Sequence, residues 1–116
     1  MLLSGGTGHG ERILSPESVA PMTNDRLTAA QRGASTLFLG EHGGSGLGIG
    51  VPAADAGDQP LPCGTGWEGG TGTVWRSDQR LAVTGILLTQ RAMMSPVPPP
   101  IFEDFWAGVN AATKGA

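Results

Sequence analysis

The sequence predicts an α/β domain: an antiparallel sheet of about three strands with flanking helices. Three observations carry this. Apolar residues alternate with glycine through Gly46-Leu47-Gly48-Ile49-Gly50-Val51, a period of two. Two more strand-like runs, 71–76 and 80–90, are separated only by Ser77-Asp78-Gln79, the pattern of a tight hairpin. Near the end, Ile101, Phe102, Phe105, Trp106 and Val109 recur at helical spacing.

Taken in order, Met1-Leu2-Leu3-Ser4 reads as a helix tail stopped by Gly5-Gly6. Ser15-Pro16-Glu17-Ser18 is a helix start. The Ser15 side chain is placed to cap, Pro16 suits the first helical position, and a carboxylate follows in the first turn. That helix carries Val19, Ala20 and Met22 and ends at Asn24-Asp25. Residues 24–45 read as loop, with an apolar island at Leu37-Phe38-Leu39. The first strand is then expected over 45–51, its glycines marking a close neighbour on one face. Residues 52–64, rich in Pro and Gly, read as loop. The second strand follows at 71–76. The third, 80–90, is apolar on both faces and so central. Ser95-Pro96-Val97-Pro98-Pro99-Pro100 reads as a stiff extended connection to a terminal helix over 101–112. Both faces of the third strand need cover that this chain supplies poorly. Marginal stability of the isolated chain is therefore expected.

Composition narrows the function. Twenty glycines and nine prolines make up a quarter of the 116 residues, which approaches low-complexity composition. Charged residues are only 15% of the chain, too few for the repulsion that keeps a chain disordered. Seven basic against ten acidic residues leave no footprint for nucleic acid. No apolar run reaches the ~20 residues of a membrane helix. The N-terminus has neither basic nor apolar signal-peptide regions, so the default location is cytoplasmic. A single cysteine, Cys63, excludes an internal disulfide and a Cys-rich zinc site. No metal site or cofactor is expected. His9 and His42 sit in glycine-rich loops without partners at ligand spacing, and no base flanks Cys63.

Gly64-Thr65-Gly66-Trp67-Glu68-Gly69 matches G-x-G-x-x-G, but a proline-rich loop precedes it and a strand follows. A dinucleotide site needs a strand before and a helix after. No G-x-S-x-G elbow occurs. None of the serines at 4, 15, 18, 35, 45, 77 and 95 is followed three residues later by lysine, and there is no tyrosine. The chain thus holds no self-sufficient catalytic set. Gly66-Trp67-Glu68-Gly69-Gly70-Thr71-Gly72-Thr73 is the most informative stretch. Glycines around one Trp and one carboxylate leave the backbone amides near Gly69 and Gly70 accessible to a developing oxyanion. The alternative is a bulge or turn that requires glycine dihedrals.

Several strings together resemble the C-terminal part of the serine β-lactamase-like family, which includes class C β-lactamases, penicillin-binding proteins and related esterases. They are Met1-Leu2-Leu3-Ser4-Gly5-Gly6, Arg12-Ile13-Leu14-Ser15-Pro16-Glu17-Ser18-Val19, Met22-Thr23, Gly46 to Val51, Gly66 to Thr73, and the run 81–90. The resemblance implies an incomplete transpeptidase-like fold spanning residues 1–116. It also implies a third motif of W-x-G type, closest to the esterase members. Trp67 matches its first position, Glu68 the second and Gly69 the third; together they would line the substrate pocket. Glu68 stands where the family carries Thr or Gly. Gly70 matches the residue whose amide enters the oxyanion hole.

The family's S-x-x-K and Y-x-N motifs lie upstream of the segment that Met1 begins. The resemblance therefore implies a fragment of a hydrolase for small ester or amide (β-lactam-like) substrates. Such a fragment is inactive alone, since an oxyanion donor without a nucleophile forms no acyl-enzyme. Two alternatives stand beside it: a non-catalytic interaction module, and half of a split hydrolase whose complementary chain brings the missing motifs. Nucleic-acid and membrane partners are not expected.

Overall fold

In the computed structural model, the described residues are 1–41, 43–52 and 64–114. They form mixed α/β structure with antiparallel sheet pairing. The chain divides into two units, Met1–Ala56 and Gly57–Ala116.

The first unit opens with a 3-10 turn, Leu2–Ser4, stopped by Gly5 in the left-handed region (φ 58°). Strands β1 (Thr7–Gly8) and β2 (Glu11–Arg12) follow as a minute hairpin. Its loop residues His9 and Gly10 are both left-handed (φ 52° and 84°), as a two-residue hairpin loop requires. Helix α1 (Pro16–Thr23) starts as expected: the Ser15 Oγ accepts from the Ser18 N–H at 3.2 Å, and Val19 is the buried residue.

The expected loop over 24–45 instead contains two short helices, α2 (Ala29–Ala34) and α3 (Thr36–Leu39). A reciprocal capping box makes α2: Gln31 N–H donates to Thr28 Oγ1 and Thr28 N–H to Gln31 Oε1 (3.3 and 2.9 Å). With six and four residues, neither helix is long enough to display a helical period.

The expected strand over 45–51 is a hairpin. Strands β3 (Gly43–Ser45) and β4 (Gly50–Pro52) pair antiparallel, Ser45 opposite Gly50. Gly46 to Ile49 form the loop, with Gly48 at φ 79° and Gly46 N–H donating to Ile49 O at 2.9 Å. Glycine at that density lets the chain reverse where alternation alone reads as one extended run. The inferred close neighbour is present. A Cβ at Gly46 would strike the Met22 carbonyl, and one at Gly44 would lie 2.5 Å from the Asp25 carboxyl carbon.

The described residues hold seven strands, not the about three expected; the second unit contributes β5 (Thr65–Gly69), β6 (Thr73–Asp78) and β7 (Val83–Leu88), antiparallel neighbours in that order, and one helix. Strand β5 (Thr65–Gly69) precedes the strand expected over 71–76 and is a separate strand in the stretch read as that strand's start. Strands β6 (Thr73–Asp78) and β7 (Val83–Leu88) form the expected hairpin, but its turn lies later, over 79–82. The buried Asp78 sets that position. Its Oδ1 accepts the Arg80 and Leu81 amides (2.8 and 3.3 Å), its Oδ2 meets the Arg80 guanidinium (3.1 Å), and Ala82 is left-handed. Thus Arg80 and Leu81 belong to the turn, not to a strand.

Before the terminal helix the chain bends at Ser95, whose Oγ accepts the Val97 N–H at 3.2 Å, rather than running straight. Pro100 is the first residue of helix α4 (Pro100–Lys114), a position where the missing proline N–H costs nothing.

One face of α4 makes the core of this unit: Phe102 and Trp106 bury against Val74, with Leu87, Met93, Phe105 and Val109 around them. Phe105 and Trp106 meet edge-on, centroids 4.8 Å apart. Gly85 permits this approach, since a Cβ there would lie 2.5 Å from Trp106 Cζ3. Ile101, expected on the packing face, is half exposed; the helical stripe runs through 102, 105, 106 and 109, one position further on.

Candidate functional site

Trp67, Glu68 and Gly69 lie on β5, and Gly70 lies in the turn to β6. Register fixes their faces. Trp67 pairs with Trp75, which pairs with Ile86; Gly69 pairs with Thr73, which pairs with Leu88. Directly opposed residues share a face. Trp67, Gly69, Trp75, Thr73, Ile86 and Leu88 therefore share one side, while Val74, Gly85 and Leu87 meet α4 on the other. Trp67 is 50% exposed.

Glu68 points to the α4 side. There its Oε1 meets the guanidinium of Arg76, its diagonal neighbour, at 3.3 Å, and Arg76 also donates to Gly64 O at 3.4 Å. The structure thus brings Trp67 and Gly69 together and sends Glu68 to the opposite face, where it braces β5 against β6. A pair with both side chains about one-fifth exposed is worth less than about 1 kcal/mol.

The Gly70 turn is pinned from outside. Gly72 N–H donates to Gly69 O and Met93 N–H to Gly70 O, both at 2.9 Å. The Thr89 hydroxyl donates to Gly72 O at 2.6 Å. These bonds use the Gly69 and Gly70 carbonyls, not the Gly70 N–H. Gly70 is exposed, and a Cβ added there would meet nothing within 4 Å. Gly72 has φ 78° and packs against the Arg91 carbonyl, so the turn reading of this glycine run holds at that residue. The G-x-G-x-x-G string is strand β5 itself, entered from Gly64 and leading into another strand. Phosphate finds no helix N-terminus there.

His9 is exposed in the β1–β2 turn. His42 and Cys63 lie outside the described residues. Among the described residues no group of three or more His, Cys, Asp or Glu is placed to hold a metal ion. No helix among them is long and apolar enough to cross a membrane.

The most buried charge of the first unit, which sequence reasoning placed merely at a helix end, is Asp25. Its side chain is 3% exposed, its Oδ2 lies 2.6 Å from Arg32 Nη1, and its Oδ1 accepts the Leu27 and Ser45 amides, each at 3.1 Å. Burial opposes the charge, but those two amides and the Arg32 guanidinium outweigh it and hold the carboxyl below its usual range. The sequence signal was Gly44, whose missing Cβ makes room for the carboxylate. This cluster ties α2 to β3, and it is structural.

Asp25→Ala is expected to destabilise the chain by about 3 kcal/mol, because it strands a guanidinium and two amides. The wild-type contribution is whole at neutral pH. It falls away as pH drops below the ordinary carboxylate range through the lowered folded value, since the unfolded state then binds the proton first. Urea midpoints at neutral and acidic pH check this: the difference between wild type and variant narrows on acidification. A difference that stays constant with pH would contradict the assignment.

No family model matches the chain. Over 87 residues it is 45% identical to Protein Rv1367c of Mycobacterium tuberculosis (strain ATCC 25618 / H37Rv), covering 67% of this chain and 21% of that protein. The same figures hold for a second protein, "Uncharacterized protein MT1414" of the CDC 1551 / Oshkosh strain. The chain therefore spans about a fifth of the length of the curated relatives it matches.

Proposed function

We propose that this chain is one part of a β-lactamase-related serine hydrolase that cleaves ester or amide (β-lactam-like) bonds through an acyl-enzyme. The serine, its lysine and the tyrosine are supplied by polypeptide outside these 116 residues. The observation that carries the reading is the W-x-G string on β5: Trp67 stands exposed beside a turn in which Gly70 is pinned through its carbonyl.

In the completed site, the serine oxygen attacks the substrate carbonyl carbon and its proton passes to the base. Negative charge grows on the carbonyl oxygen, and the Gly70 N–H donates to it. The leaving group departs with a proton, and water then cleaves the acyl–serine ester. Trp67 walls the acyl pocket. Glu68 acts through Arg76 to hold β5 in place and touches no substrate. A fixed amide costs no reorganisation when the charge appears, which is why such donors are effective.

Alone, the chain is expected to show no saturable hydrolysis of p-nitrophenyl acetate or nitrocefin. Placed in Protein Rv1367c in exchange for the aligned segment, it is expected to hydrolyse one of them with saturation kinetics. Saturable turnover by the isolated chain that disappears in a Trp67 and Gly70 double variant would place the nucleophile inside it and overturn the reading.

A further inference from the structure

Among the described residues of its unit, the sheet face opposite α4 is left partly open: Trp67 on it is 50% exposed, Trp75 is partly buried and Ser77 is 6% exposed. Its central row is Trp67, Trp75 and Ile86, directly opposed across three strands, with Leu88 beside Thr73 in the next row. Ile86 is 61% and Leu88 75% exposed, although both sit within a paired strand. The row on the other side is Thr65, Ser77 and Thr84, the last two joined by hydroxyls 2.8 Å apart. No residue of these rows is charged. Edge rows and exposed sheets usually carry charges that deter pairing, and this face has none.

In the two relatives the matching segment is about one-fifth of a longer chain, so about four-fifths of their length lies outside it.

We infer that the Trp67–Trp75–Ile86–Leu88 face is the docking surface for a polypeptide corresponding to the part of these relatives outside the aligned segment. The inference rests on the hydrolase reading for its consequence, since such a polypeptide would meet Trp67 at the edge of the substrate pocket. It stands on the apolar face for its existence.

The test is cysteine protection. Ile86→Cys, Leu88→Cys and, on the exposed side of α4, Ile101→Cys are made in a Cys63→Ser background. Each is placed in the isolated chain and in a cysteine-free chimera carrying this chain in place of the aligned segment of Protein Rv1367c. In the isolated chain all three are expected to react rapidly with a maleimide. In the chimera, positions 86 and 88 are expected to slow at least tenfold while 101 keeps its rate.

Equal rates at 86 in the two contexts would overturn the proposal. So would protection at 86 in the isolated chain that vanishes on dilution, which would assign the face to a second copy. Hydrolysis by the chimera is read separately. Protection without hydrolysis removes the hydrolase reading and keeps the docking face; hydrolysis without protection does the reverse.

Discussion

Trp106→Ala is expected to lower the stability of the chain by about 3–5 kcal/mol, the usual cost of emptying a buried indole site. The consequence is severe here because the core is small. Phe102, Trp106 and Val74 are its buried members, so the indole contacts most of what holds α4 to the sheet. A folded unit of this size holds only several kcal/mol in all. Loss of helical signal at ambient temperature, or a urea midpoint near zero, is the expected observation.

Two companion variants separate packing from polarity. Trp106 Nε1 is buried without a hydrogen-bond partner among the described residues. Trp106→Phe therefore removes an unpaired donor while keeping much of the ring, and should cost less than half of the alanine change. Gly85→Val should approach the alanine variant, because its side chain occupies the space of the Trp106 ring. A stable Gly85→Val would contradict the packing described here.

The second large effect concerns chemistry. In the chimera with Protein Rv1367c, Gly70→Pro is expected to reduce kcat by roughly 10²- to 10³-fold, the cost of deleting one oxyanion donor. Proline removes the N–H while leaving the Gly69 and Gly70 carbonyl acceptors in place, and it also fixes φ at 70 and restrains Gly69. Gly70→Ala keeps the N–H and places its methyl in open space, so near-normal kcat is expected. Equal activity of the two variants would remove Gly70 from the oxyanion role. Thermal unfolding of both shows whether the turn survives.

Legibility in the sequence followed the range of the forces involved. The start of α1 was readable because Ser15, Pro16 and Ser18 act within one turn. The face of α4 was readable because Phe102, Phe105, Trp106 and Val109 repeat over several turns. The β3–β4 hairpin was not: apolar residues at 47, 49 and 51 imitate a strand, and only the left-handed backbone at Gly48 reverses the chain. The β6–β7 turn was displaced because Asp78, read as turn, is the last strand residue and captures the amides of the next turn. At the candidate site, the W-x-G resemblance pointed to Trp67, Glu68, Gly69 and Gly70, which the structure places on β5 and in the turn after it. That Glu68 faces Arg76 depends on strand register, which no local pattern discloses. The uncovered face was foreseeable in outline, since strand 83–88 carries apolar residues on both sides.

The claim beneath these readings is that the attacking serine is not among these 116 residues. Treating the chimera with a fluorophosphonate probe and mapping the adduct by peptide mass spectrometry tests it most directly. The serine oxygen forms a bond to phosphorus as fluoride leaves, so the modified residue marks itself. One adduct is predicted, on a serine contributed by the relative, with no labelling of this chain alone. An adduct on Ser4, Ser15, Ser18, Ser35, Ser45, Ser77 or Ser95, or a chimera that takes up no probe, would contradict it.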